Sequence, residues 1–206
     1  MIVSYGLTTL SRAKNFMEIG GAQDDSLIES LINMVSDFVE SYCDRRFIST
    51  AYSNEVYDGN GMTELLVRQY PVSSSASFTL QRRDTIDNNG SFTTIDSEDY
   101  FVKYNEGIIA YVNDSFYPYP QHYRISYTAG YAFDNATPGA TLESVGIGDL
   151  EFAVWKLVNQ AYKNRRVSAN VQSESIGDYS VTFRKQAMMD EELKAILDKY
   201  RRPPGM

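Results

Sequence analysis

Apolar residues recur at helical spacing near both ends of the chain and alternate with polar ones between them, so helical segments bracket about 85 residues of strand-like pattern. The first segment predicts a short helix from Leu7 to Glu18, with Thr8 or Thr9 as N-cap and Leu10, Ala13, Phe16 and Met17 on one face. Gly20-Gly21 ends it. A second helix opens at Asp24 or Asp25 and runs to about Cys43. Leu27, Ile28, Leu31, Ile32, Val35, Phe38, Val39 and Tyr42 form its apolar stripe, while Glu29, Ser30, Asn33, Ser36, Asp37 and Glu40 take the other face. Arg45 and Arg46 follow, where they complement the negative end of the helix.

Beyond Phe47 the pattern changes to short runs of β-branched and aromatic residues separated by turn residues, as antiparallel strands require. Tyr52 to Tyr57 and Thr63 to Val67 flank Asp58-Gly59-Asn60-Gly61 and predict a hairpin. Further strands are expected near Ser77 to Gln81, Tyr100 to Tyr104, Ile108 to Val112 and Tyr123 to Thr128, with turns at Asn88-Asn89-Gly90 and Asn105-Glu106-Gly107. Residues 84–99 read as a polar, mobile excursion.

The helical period returns at Gly148. Leu150, Phe152, Ala153, Val154, Trp155, Leu157, Val158, Ala161 and Tyr162 cover more than one face, which predicts a helix buried on several sides, between the second helix and either the β region or a neighbouring subunit. Lys163, Arg165 and Arg166 mark its basic end. Residues 176–183 alternate after a Gly-Asp turn and suggest a strand or extended arm. A last helix runs from Asp190 to about Arg201 and stops at Pro203-Pro204. The fold class is α+β: residues 1–46 and 132–206 form a helical core, and residues 47–131 an inserted antiparallel β region.

Composition narrows the function. One cysteine, Cys43, excludes an intramolecular disulfide framework and fits a reducing compartment. The start, Met1 to Gly6, lacks a basic stretch followed by an apolar run, and no segment approaches the roughly 18 apolar residues needed to cross a bilayer, so the expectation is a soluble, unprocessed chain with no membrane partner. A net charge of −8 opposes broad contact with phosphate backbones.

Catalytic candidates are few. His122 is the only histidine, and nothing in its spacing to Cys43 or a serine supports a nucleophilic triad. Cys43, beside two arginines, could have a lowered pKa, but a packed, inert thiol is the favoured reading. One Cys and one His cannot close a structural zinc site. Asp96, Glu98 and Asp99, with Asp84 and Asp87 nearby, are the densest carboxylates; the alternatives are a solvated loop, a hydrolase pair or adventitious calcium. Gly146-Ile147-Gly148 lacks the remaining residues of a phosphate loop and reads as a linker. The 16 tyrosines, 10 of them between Tyr52 and Tyr127, fit strand packing, a protein interface or a carbohydrate-stacking surface.

Several segments taken in order carry a resemblance: Leu7-Thr8-Thr9-Leu10, the helix ending Ser41 to Phe47, Tyr57-Asp58-Gly59-Asn60-Gly61, Tyr70-Pro71-Val72, and Ile125 to Tyr131 leading into the long helix. Ser173 to Ser180 and Ile196 to Arg202 extend it towards the C-terminus. Together they resemble the head-tail connector family of tailed bacteriophages, also called adaptor or head-completion proteins. Short members are helical bundles alone, so the β region makes this a longer member.

The resemblance implies no catalysis and no cofactor. It implies a dodecameric ring that binds beneath the portal protein after packaging, continues the DNA channel without sequence-specific binding, and meets a stopper or other tail-side protein. The place implied is the virion neck, with synthesis and assembly in the bacterial host cytoplasm. On this reading Leu193, Ile196, Leu197 and Tyr200 are apolar anchors for the portal, and Lys199, Arg201 and Arg202 meet its acidic groups. Trp155, Arg165, Arg166, Gly177, Asp178 and Tyr179 would face a neighbouring copy or the next tail component. The rival readings are a carbohydrate-binding or other tail-associated virion module, and a hydrolase using Asp96, Glu98 or Asp99.

Overall fold

The computed structural model describes residues 1–3, 5–86, 90–133, 141–164, 173–176, 179–182 and 189–202, the strands within 173–182 by backbone alone. The chain forms two compact units, one of Met1–Asp44 with Phe133–Arg202, the other of Arg45–Ala132.

The first unit is a helical bundle. Helix α1 (Leu10–Met17) is capped by Thr9, whose side chain accepts the Arg12 amide, and ends at Glu18 in the left-handed conformation, before the Gly-Gly pair expected to stop it. Helix α2 (Asp25–Cys43) closes on Asp44, also left-handed. Asp24 is its N-cap by position but makes no side-chain cap bond; its carboxylate instead accepts the hydroxyl of Tyr162. Helix α3 (Gly148–Asn164) packs against α1, α2 and α4 (Glu191–Tyr200), the central place its many-sided apolar surface requires. Two short strands, Ser173–Ile176 and Tyr179–Thr182, pair antiparallel where a strand or extended arm was expected.

The stripe read on α2 is wider than the face that is buried. Ile28, Ile32, Val35, Val39 and Cys43 are covered, whereas Leu27, Met34 and Phe38 stand exposed and Leu31 half-buried. Residues three and four apart share a face, so these apolar positions form two adjacent stripes rather than one.

The second unit holds two antiparallel sheets. One has the order β1 (Thr50–Tyr57), β7 (Tyr123–Ala129), β3 (Thr79–Arg83), β4 (Phe92–Thr94); the other has β2 (Glu64–Leu66), β6 (Ile108–Tyr111), β5 (Tyr100–Lys103). Their apolar residues share one core, including Leu80, Ile109, Phe116, Tyr123 and Ile125. Along β7 every second residue from Tyr123 to Ala129 is buried, the period-2 pattern of a central strand. A bulge between Tyr52 and Glu55 keeps β1 in register with β7; Asn54 there is left-handed, and its amide is taken by Ser126 Oγ at 2.9 Å.

Three expectations change. Tyr52 to Tyr57 and Thr63 to Val67 do not form a hairpin, because β1 pairs with β7 and β2 with β6. The Asp58 to Gly61 turn gives its hydrogen bonds elsewhere: Gly59 N donates to Tyr119 O, Gly61 N donates to Phe116 O, and Asp58 Oδ1 accepts from Gln121 N at 2.6 Å. A Cβ on Gly59 would lie 1.6 Å from Tyr117 O, so close backbone approach is what requires glycine. Secondly, residues 84–99 include β4 and a 3-10 turn at Ser97–Asp99; Phe92 secures the edge, lying under the guanidinium groups of Arg83 and Arg124 at 4.5 and 4.3 Å. Thirdly, Arg45, expected as a helix-end charge, is buried, with its guanidinium against Tyr70 at 3.9 Å and Phe47 at 5.1 Å. The Asn105 to Gly107 turn does join β5 and β6, with Gly107 at positive φ. Asn88 and Asn89 lie outside the described residues.

Candidate functional site

The bundle is tied at both ends of α3. Near its start, the buried Glu151 carboxylate accepts from Thr8 Oγ1 and Arg12 Nε, each at 2.8 Å, and from Arg12 Nη2 at 3.1 Å. Trp155 belongs to this cluster. Its indole N–H donates to Thr8 Oγ1 at 2.7 Å, its ring stacks on Phe16 at 5.6 Å, and the Arg12 guanidinium lies 5.1 Å from it. Hydrogen bonding to Glu143 and Glu151 raises the Arg12 pKa despite partial burial, which keeps the group charged.

Helix α4 is held as firmly. Asp190 caps it by accepting the Leu193 amide at 2.8 Å, and Leu193, Leu197 and Tyr200 are buried in the bundle. Lys199 Nζ donates to Asp149 Oδ2 at 2.7 Å, and the Tyr200 hydroxyl donates to the same carboxyl. Burial alone would raise the Asp149 pKa, but these two donors and the Lys199 charge outweigh it and hold the carboxyl below its ordinary value. Tyr42 donates to Asp198 at 2.7 Å, Arg201 lies over the Tyr42 ring, and Arg202 N donates to Cys43 O at 2.9 Å. On the other side Lys156 bridges to Glu192 at 2.6 Å and Asp190 at 3.5 Å, with its pKa raised chiefly by the Glu192 hydrogen bond.

Of the expected docking residues, then, Leu193, Leu197 and Tyr200 pack inward, Ile196 is half-buried, Lys199 and Arg201 are exposed, and Arg202 sits near Asp44 at 3.9 Å. Arg165, Arg166, Gly177 and Asp178 lie outside the described residues, as does the side chain of Tyr179. Sequence reading missed Glu151 and Arg12. The available signal was a carboxylate set between Leu150 and Phe152 on the apolar side of a helix, which demands a cation or donors.

Among the described residues the bundle surface offers an apolar stripe and a groove of mixed lining. The stripe is Leu27, Met34 and Phe38, exposed, with half-buried Leu31, on α2. The groove, of about 460 Å³, has Phe16, Phe152 and Leu193 among the polar side chains of Lys156, Asn159, Gln160, Lys163, Asn164 and Asp190.

In the second unit an open cleft of about 580 Å³ brings Asp84, Asp96, Glu98, Asp99 and Asp114 around Arg82 and Arg83. Asp96 caps its own 3-10 turn by accepting the Glu98 amide, so part of this carboxylate set is used structurally. Among the described residues no group of three or more His, Cys, Asp or Glu is placed to hold a metal ion. His122 is buried among the rings of Tyr117, Tyr119 and Tyr123, and burial, then the charges of Arg82 and Arg83, lower its pKa. Cys43 is fully buried, with Sγ 3.6 Å from Leu197 O. Tyr57, Tyr100, Tyr111, Tyr123 and Tyr127 are core residues, so these five rings are engaged in packing, while Tyr104 and Tyr117 are exposed. No described helix is long and apolar enough to cross a membrane.

The described residues form a bundle tied by internal salt bridges, joined in sequence to a two-sheet unit. The family model of the head completion protein matches residues 6–203, and the chain belongs to that family, a class of structural head-tail connectors. Its fold is similar to a chain in the neck of an empty gene transfer agent particle computed with C6 symmetry, at 15% identity and a TM-score of 0.62, covering 100% of this chain and 95% of that one. A chain from the virion of a native gene transfer agent matches at 17% identity and TM-score 0.53, with 100% and 95% covered. A third, from the neck of a native particle computed with C12 symmetry, matches at 15% identity and TM-score 0.51, with 100% and 97% covered. No curated protein sequence matches the chain significantly.

Proposed function

We propose that this chain is a non-catalytic adaptor that forms a ring beneath the portal after DNA packaging, extends the DNA channel and joins head to tail. The observation that carries it is the family match over residues 6–203, which spans both units, supported by a fold shared with chains from particle necks. The place of action is the virion neck, after assembly in the bacterial host cytoplasm, with a stopper or other tail-side protein below. Twelve copies at −8 each carry about −96, and a mainly acidic ring repels sliding DNA rather than gripping it. A conduit needs that weak adhesion.

Helix α4 is the proposed portal contact, through its outward residues Ile196, Lys199 and Arg201, with Leu193, Leu197 and Tyr200 fixing the helix to the bundle and Arg202 securing its end. Trp155, Arg165, Arg166, Gly177, Asp178 and Tyr179 are the proposed contacts to a neighbouring copy or the tail side. The test is co-sedimentation of the chain with its portal oligomer, followed by negative-stain imaging of the pellet. An added ring at the narrow end of the portal is the expected result; correctly folded partners that fail to associate would overturn the reading.

A further inference from the structure

Helix α2 has three flanks that matter, and two are covered from within the chain. Ile28, Ile32, Val35 and Val39 are buried in the bundle, where α2 packs on α3. On a second flank the N-terminal segment runs alongside: the Met1 amino group pairs with Glu29 at 2.6 Å, Val3 N donates to Asn33 Oδ1 at 3.0 Å, and Leu7 N donates to Ser36 Oγ at 3.0 Å. The third flank carries Leu27, Leu31, Met34 and Phe38, spaced four, three and four residues apart, with Leu27, Met34 and Phe38 exposed by 37%, 51% and 42%. That spacing is the seam of a helix packed on another helix. Leu27, Met34 and Phe38 each keep more than a third of their surface open.

Resting on the adaptor reading above, we infer that this flank of α2 seats in the groove between α1, α3 and α4 of the next copy around the ring. A closed rotational ring with more than two members uses heterologous contacts, so every copy must present two different, complementary patches. Among the described residues of the helical unit, the stripe and the groove are the two surfaces paired in this way. The stripe from Leu27 to Phe38 is about 16 Å long at 1.5 Å per residue, and the α3 wall of the groove, from Phe152 to Asn164, is about 18 Å, long enough to receive it. The groove offers apolar floor at Phe16, Phe152 and Leu193, to which the stripe supplies apolar side chains. Charge agrees at one point: Asp37 is exposed beside Phe38 on α2, and Lys163 lines the groove, where Lys156 and Asp190 already face each other at 3.5 Å.

The test places one cysteine on each patch, Met34→Cys with Asn159→Cys, in particles assembled with the full chain, and reads non-reducing gels after mild oxidation. Native Cys43 is fully buried and does not compete. A ladder of covalent oligomers rising to the whole ring is expected. Particles with an imaged ring whose chain runs only as monomer would overturn this interface while leaving the adaptor reading intact. Dimers from Met34→Cys alone would also overturn it, since they report stripe against stripe. Wild-type particles without a ring would remove the adaptor reading and this inference together. Charge exchange gives an independent readout: Asp37→Lys or Lys163→Glu alone lowers ring incorporation about tenfold, and the double variant restores it. Two singles that lose nothing, or a double no better than either, would count against the pairing.

Discussion

Arg12 and Glu151 form a two-bond pair in which the carboxylate is 1% exposed and the guanidinium 30%, so the acid depends on the base for its charge to be tolerated. Removing one partner strands a buried charge, which costs more than the pair itself contributes. Arg12→Met is expected to destabilise the helical unit by about 3 kcal/mol, and Arg12→Met with Glu151→Met to recover most of that loss. Denaturant titration of the double-mutant cycle measures it; additive losses would show that the two residues act independently.

The grip of Asp149 on Lys199 and Tyr200 makes the docking of α4 pH-dependent. The carboxyl has a folded pKa below its unfolded value, so its stabilisation is present above the unfolded pKa and disappears as pH falls through the folded one. Because the group is partly exposed, Asp149→Asn should cost only about 1 kcal/mol near neutrality and nothing in strong acid. Amide exchange along residues 191–200 at several pH values checks this, the variant opening sooner than wild type only above the carboxylate range.

His122 acts in the opposite place and through the neutral form. Its pKa is lowered in the folded state, so below the unfolded value, about 6.5, the unfolded chain binds the extra proton and stability declines. The β unit should melt progressively lower between pH 7 and pH 5, and His122→Phe, which retains the ring contacts with Tyr117, Tyr119 and Tyr123, should flatten that slope. An unchanged slope in the variant would assign the effect to other groups.

Glu55 accepts the hydroxyls of Tyr57 at 2.6 Å and Tyr127 at 2.9 Å, and these in turn accept the amides of Arg68 and Gln69. Burial pushes both tyrosine pKa values up, so both remain donors at every physiological pH. Glu55→Ala should destabilise the β unit by about 2 kcal/mol, more than Tyr127→Phe, which leaves the carboxylate one donor. Thermal melts followed in the near-UV, where the buried tyrosines report, would separate the two; equal losses would contradict the shared-acceptor geometry.

Local signals were legible in the sequence and pairings were not. Thr9, Asp190 and the Asn105 to Gly107 turn act through neighbours in the chain, so residue type located the last helix start and a hairpin and narrowed the first helix, read from Leu7 with Thr8 or Thr9 as cap, to within a turn of its start at Leu10. The partner of Tyr52 to Tyr57 lies some 70 residues away in β7, and the glycine-rich turn after it suits close backbone packing as well as it suits a hairpin. Periodicity likewise identified α2 but merged its two apolar stripes, because Leu27 and Ile28 are both leucine-like while only the assembled bundle decides which is covered. Leu193, Leu197 and Tyr200 read equally as docking anchors or as bundle core from their spacing alone. The cation that Glu151 needs is 139 residues distant, and no spacing rule links it to Arg12.

Imaging particles made in cells whose copy of its gene has been deleted asks whether this chain joins head to tail. Heads and tails should accumulate separately, with joining restored when the purified chain is added. Normally tailed, infectious particles in its absence would contradict it.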